Sequence, residues 1–263
     1  MGETSIEWAT HTLNFLTHNC SKVSQGCRNC YALTFSKLYN GRNSNGGDFL
    51  KHPPTIRERA FISDLGKIPA GAVVFVNSHS DTFHEDVPLE SIQRMYDAMT
   101  GNPDITWLVL TKRIQRAVEL QNDLLIGNNI WLGTSVEDST VNWRLDCLAE
   151  AFHYTGRFVS AEPLLGDPKI EPWIADGTLD WVIVGGESGA NRRPFDKAWV
   201  RGMRDVCQLN EIPFLFKQGS HFFPGRDREL DGRTWDEIPF TANDTNPQQV
   251  SPIPVSPQQL NLF

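Results

Sequence analysis

The sequence predicts a partial (β/α)6-type TIM barrel, an α/β fold of parallel strands with outer helices, followed by a C-terminal extension. Short apolar runs recur along the chain, at "GAVVFV", "ITWLVL", "NIWLG", "RFVSA", "LDWVIV" and "IPFLF". Each is continuous enough to be buried on both faces, as strands of a helix-covered parallel sheet are. Segments with helical apolar spacing lie between them, and parallel neighbours require such crossovers. At 263 residues the chain is close to the size of one barrel in a single piece.

Taken in order, a weak first strand is expected around Ile6 to Trp8, and the second at Val73 to Val76 inside "GAVVFVNSHSD". "PLESIQRMYDAMTGN" follows, with Ile92, Met95, Tyr96 and Met99 spaced for one helix face. "ITWLVLTKR" is the next strand and "IQRAVELQNDLL" the next helix. "NIWLGTSVED", "RFVSAEPLL", "LDWVIVGGESG" and "IPFLFKQGS" complete the strands. The helix-like "VNWRLDCLAEAF" and "WVRGMRDVCQL" carry Cys147 and Cys207, which read as small core residues. The barrel is therefore placed at residues 1–220, with a loop at 11–31. A cover segment at 221–243 carries Trp235, and a Pro- and Gln-rich tail at 244–263 is expected to be disordered.

Composition narrows the function classes. The hydrophobic share of 40% and charged share of 21% are those of a globular protein, and no apolar run is long enough to cross a membrane. The N-terminus lacks a basic start followed by an apolar stretch, so a cytoplasmic protein with reduced thiols is expected. A net charge of −8 speaks against a broad basic surface for nucleic acid and leaves room only for a local one.

Three of the five cysteines fall in "NCSKVSQGCRNCYAL". Cys27 and Cys30 have the C-x₂-C spacing and Cys20 precedes them, which in a reducing compartment points to a metal site rather than a disulfide framework. Three thiolates can hold three irons of a [4Fe-4S] cluster and leave the fourth iron open to the amino and carboxylate groups of S-adenosylmethionine. One electron passed to the sulfonium then gives methionine and a 5′-deoxyadenosyl radical. Zinc is the competing reading, with His18 or His11 as fourth ligand. The absence of a second close pair and the parallel scaffold that follows favour the cluster.

The strand ends supply further candidates, since barrel enzymes place their chemistry at the C-terminal ends of parallel strands. They carry Asn77 to Asp81, Thr111 to Arg113, Thr134, Ser135 and Glu137, Ser160 and Glu162, Gly185 to Ser188, and Lys217 with Gln218. Any one of these sets can equally cap a following helix.

Together, "IEWATHTLNFLTHNCSKVSQGCRNCYA", "NSHSD", "LTKR", "GTSVED", "SAEPLLG", "GGESG", "KQGS" and "LDGRTWDEIP" resemble the bacteriophage and bacterial family known as domain of unknown function 5131, a radical-SAM-like family. The resemblance runs from about Ile6 to Pro239. It implies a partial barrel of the radical SAM kind, a [4Fe-4S] cluster on Cys20, Cys27 and Cys30, and a frequent home in phage genomes, hence a host cytoplasm. It names no substrate. The first cysteine gap is six residues where the wider superfamily has three, and Asn29 stands where that superfamily tends to carry an aromatic residue.

By chemistry, Ser78 and Asp81 are expected to meet the methionyl amine, Lys112 its carboxylate, and Ser135 and Glu137 the ribose hydroxyls, with Glu162 a second acidic candidate. No catalytic residue is assigned. His79, Arg192, Arg193 and Lys217 are the substrate candidates, the cations for phosphates. The expected partners are S-adenosylmethionine, an external one-electron reductant and DNA or a modified nucleotide, with no membrane. The first specific expectation is phage DNA modification: a radical rearrangement, lyase or other reaction on a nucleobase, flipped out or single-stranded. A zinc-stabilised phage adaptor and a radical enzyme on a peptide or small metabolite stand as alternatives.

Overall fold

In the computed structural model, which describes residues 2–32 and 53–240, the apolar runs form adjacent strands in chain order. β1 (Gly2–Glu3) pairs antiparallel with β2 (His11–Leu13). From β2 onward every pairing is parallel: β3 (Val73–Val76), β4 (Thr106–Thr111), β5 (Ile130–Ser135), β6 (Gly156–Ala161), β7 (Trp181–Gly185) and β8 (Phe214–Gln218). Seven parallel strands in unbroken order make a singly wound α/β sheet, curled into a half barrel.

Between consecutive strands, from β3 onward, lie α1 (Leu89–Thr100), α2 (Ile114–Leu120), α3 (Trp143–Ala149), α4 (Glu171–Ala175) and α5 (Lys197–Leu209). The apolar spacing read in α1 is the packed one: Ile92, Met95, Tyr96 and Met99 are all fully buried. α5 buries Val200, Met203 and Cys207, and the Asp196 carboxylate caps it by accepting the Ala198 N–H at 2.8 Å. These helix faces join alternate strand residues, such as Val74, Val109, Leu132, Val182 and Phe216, in the outer core. The intervening strand residues face the concave side and form a second cluster of Phe75, Leu108, Phe158, Trp181, Ile183 and Leu215 around Trp8.

Trp8 corrects the expected first strand. Ile6 to Trp8 is a turn, and the strand is His11–Leu13, which has no apolar run to announce it. The Trp8 ring instead enters the concave side, 4.5 Å from Phe75 of β3, 6.2 Å from Phe158 of β6 and 6.3 Å from Trp181 of β7. One side chain touching strands this far apart in the order shows how tightly the sheet curls. Phe240 joins the same plug, 4.8 Å from Trp131 and 5.6 Å from Trp181.

The segment expected as a cover runs along the outer edge of β8. Phe216 N–H donates to Trp235 O at 2.8 Å and Glu237 N–H to Phe214 O at 3.2 Å, so the edge strand is paired rather than open. The Trp235 ring packs on Phe214 beneath the Arg233 guanidinium. The expected tail at 244–263 lies outside the described residues. No helix among the described residues is long and apolar enough to cross a membrane.

Candidate functional site at the barrel mouth

The C-terminal strand ends all open on one side, and the cysteine loop lies across them. Its path is fixed by contacts with successive strand ends. After β4, the Arg113 guanidinium donates to Asp81 at 3.0 Å, to Glu85 at 2.6 Å and to both oxygens of Ser21, next to Cys20. Arg113 Nη1 also lies 3.9 Å from the Cys20 sulfur.

After β5, Glu137 takes hold of the middle of the loop. One carboxylate oxygen accepts from Ser24 Oγ at 2.6 Å and from Lys112 Nζ; the other accepts from Arg144 at 3.1 Å. Ser24 Oγ in turn sits 3.8 Å from the Cys27 sulfur. A Cβ on Gly26 would overlap the Glu137 side chain, so this turn can approach only as glycine. At 1% exposure Glu137 is buried among cations. Burial opposes its ionisation, but the Lys112 and Arg144 charges and the Ser24 hydrogen bond outweigh it and lower its pKa.

After β7, the Glu187 carboxylate receives the Arg193 guanidinium at 2.6 and 3.0 Å and Asn29 Nδ2 at 3.0 Å. Arg193 also donates to Gln25 O at 3.1 Å, and Asn29 to Asn191 O at 2.8 Å. Burial works against the Glu187 charge, and these donors lower its pKa nonetheless. After β3, the Tyr31 hydroxyl donates to Ser78 O at 2.5 Å. Strand ends on both sides of the mouth thus hold one loop.

The expected site residues divide accordingly. Lys112, Glu137 and Asp81 hold the loop: the Asp81 carboxylate takes Thr111 Oγ1 at 2.7 Å and the Phe83 and Lys112 N–H groups besides Arg113. Glu162 and Lys217 pair with each other at 2.9 Å across the β6 and β8 ends, with Ser160 Oγ 3.4 Å from the carboxylate. Ser135 is buried and its carbonyl accepts from Arg144 at 2.8 Å. Ser78 Oγ donates to Asn14 Oδ1 at 3.3 Å. The His79 ring lies 4.6 Å from the His18 ring at a tilt of 58°, and its pKa falls to about 4, chiefly through burial and then through His18. Arg193 is bound to Glu187, whereas Arg192 is exposed.

Sequence reasoning missed Arg144, which sits inside an otherwise apolar helix pattern, and the loop residues Ser21, Ser24, Gly26 and Asn29. It left Glu187 without a role. The only signal for them was that small and polar residues fill the cysteine loop where a surface helix would carry long ones.

Cys20, Cys27 and Cys30 are each half-buried, while Cys207 is core. Burial, reinforced by Asp81 and opposed by Arg113, pushes the Cys20 thiol up to about 12. Among the described residues no group of three or more His, Cys, Asp or Glu side chains forms a metal-holding arrangement. Thiolates are the donors that soft metals and iron-sulfur groups take, but the three sulfurs of this loop are not gathered into one such group. His11 lies in β2 opposite Val74, near the foot of the strands rather than at the mouth.

A family model described as "Protein of unknown function (DUF5131)" matches residues 3–239. Comparison with curated proteins and with solved structures gives no match.

Proposed function

The chain belongs to the DUF5131 family, and we propose that it is a radical S-adenosylmethionine enzyme acting on a nucleobase or modified nucleotide. The observation that carries the reading is that Cys20, Cys27 and Cys30 ride on a single loop tied down to strand ends around the mouth of a parallel half barrel. Cys20, Cys27 and Cys30 would hold a [4Fe-4S] cluster, which, with S-adenosylmethionine bound, supplies one electron to the sulfonium and so a 5′-deoxyadenosyl radical.

The chain's own residues have three tasks under this reading. Glu137, Arg113 and Glu187 hold the loop over the mouth. The aromatic plug of Trp8, Phe158 and Trp181 excludes water from below. The Glu162 and Lys217 pair, with Ser160 beside it, offers polar groups above that plug. When the pair opens, Glu162 can accept an ammonium and Lys217 a carboxylate or phosphate, so together they suit a zwitterionic or phosphorylated ligand. Exposed Arg192, beside the Arg193 that grips the loop, supports a phosphate-bearing substrate.

The test is an anaerobic assay of reconstituted protein with dithionite and S-adenosylmethionine, reading 5′-deoxyadenosine with and without nucleosides and oligonucleotides. Formation that nucleic acid stimulates supports the proposal. Formation stimulated only by a peptide or small metabolite overturns its substrate half, and a colourless zinc protein that forms none overturns the whole.

A further inference from the structure

We infer that Phe222 and Phe223 form a base-stacking wedge that holds single-stranded nucleic acid at the mouth, an inference that rests on the nucleotide-substrate reading above. Exposed large apolar side chains elsewhere, among them Ile62, Leu125, Phe152 and Leu209, are scattered singly, as surface apolar residues commonly are. Phe222 and Phe223 differ. They are adjacent, 49% and 60% exposed, and packed edge to face with ring centroids 4.9 Å apart. The His221 ring lies 6.1 Å from Phe223 and its Nδ1 accepts the Phe223 N–H at 3.1 Å, which fixes the turn that presents the two rings.

Their place in the fold gives the surface a purpose. A parallel bridge between Ser188 and His221 carries β7 and β8 beyond their last ladder pairs, so the rings stand on the mouth side. Gly189 N–H donates to the carbonyls of His221 and Phe222 at 3.2 and 3.1 Å, and Ser220 Oγ donates to Arg193 O at 2.6 Å. The same 189–193 segment grips the cysteine loop through Arg193 and Asn191. The wedge and the cysteine loop are thus two neighbours of one short segment.

The surrounding charge selects the occupant. Arg192 and Arg226 are exposed on either side of the aromatic turn in sequence, and Arg28 is exposed on the cysteine loop. Of the acids nearby, Asp227 is paired with Lys197 and Asp236 with Arg228, and the opposing charges are Glu7, close to Gly225, and exposed Glu229. Exposed rings with exposed arginines on neighbouring segments suit a strand of stacked bases on a phosphate backbone, and stacking tolerates any base. They do not match a duplex, whose bases are already stacked, and an acidic protein of this net charge offers no broad basic face for one.

The experiment is fluorescence anisotropy with a labelled single-stranded DNA oligonucleotide and the same sequence as duplex. It uses the reconstituted full chain, a Phe222→Ala/Phe223→Ala variant and a Leu209→Ala control. Single strand is expected to bind in preference to duplex, with affinity falling as salt rises. The double variant is expected to lose about tenfold to hundredfold in affinity, while the control loses none. Equal binding by wild type and double variant overturns the inference. So does a wild type that binds no oligonucleotide, or one that self-associates through this rim and is dispersed by the double substitution. Iron content and 5′-deoxyadenosine formation are read on the same samples. Phe-dependent binding by an iron-free protein would sink the radical reading and keep the wedge. Iron and 5′-deoxyadenosine in a protein indifferent to oligonucleotides would do the reverse.

Discussion

The foot and the mouth of the half barrel are built from the same strands and held by opposite physics. At the foot, Trp8, Phe75, Phe158, Trp181, Trp131 and Phe240 fill the concave side with aromatic surface. Burial there is non-directional and scales with area, so the plug stabilises the fold without specifying any ligand. At the mouth, ion pairs of Arg113, Glu137 and Glu187 hold a loop in one place, and Glu162 pairs with Lys217 across two further strand ends. Buried ion pairs are weak evidence for stability, because desolvation offsets most of their attraction. The difference teaches where the chain places its specificity: stability resides at the foot, and the mouth maintains a geometry.

The largest expected effect tests the foot. Trp181→Ala removes a fully buried ring and its indole hydrogen bond to Glu237 O at 3.0 Å. It should cost about 3–5 kcal/mol in denaturant unfolding, while the folded fraction still loads iron. Loss of iron from well-folded Trp181→Ala protein would break the division between the two ends.

Glu137→Gln should cost about 3 kcal/mol, because Arg144 and Lys112 are left without their counter-charge. Its pH dependence carries the sign of a lowered carboxylate pKa. The wild-type advantage is full above the ordinary carboxylate range and disappears as pH falls through the lowered value. Thermal midpoints of both proteins between neutral pH and about pH 3 should therefore converge on the acid side. A constant gap would show that Glu137 acts by packing alone.

Much of this architecture was legible. The strands β3 to β8 could be read because burial on both faces writes itself as a continuous apolar run, and α1 because Ile92, Met95, Tyr96 and Met99 keep one face. The first strand was not, since His11–Leu13 has no such run and Trp8 looked like strand when it is the plug. The cysteines of the candidate site stood out by spacing. Their anchors did not: Ser24 meets Glu137 across 113 residues of chain and Asn29 meets Glu187 across 158, and no local pattern encodes a partner so distant. Glu137 was visible as a strand-end acid, but what it would grip was not.

A smaller effect is expected from Arg193→Ala, about 1 kcal/mol of global stability, because the guanidinium end of its pair with buried Glu187 is partly exposed. Its sharper readout is local: trypsin should cut folded protein at Lys22 and Arg28 faster than in wild type, whereas Trp181→Ala, in the plug, should raise cleavage through global unfolding and leave local cleavage of the loop unchanged. The smallest effect belongs to Cys147→Ser, a half-buried thiol on α3 away from the loop. Stability should move by no more than about 0.5 kcal/mol, with iron content unaltered.

Whether the loop thiols hold an iron-sulfur group decides what the mouth does, and metal analysis after anaerobic reconstitution tests it most directly. Iron, sulfide and the visible spectrum would be measured for wild type, Cys20→Ala, Cys27→Ala, Cys30→Ala and Cys147→Ser. The prediction is about four irons and four sulfides per chain in wild type and Cys147→Ser, with the cluster and its brown absorbance lost in each loop variant. Stoichiometric zinc in a colourless wild type, or iron that survives all three loop substitutions, would contradict it.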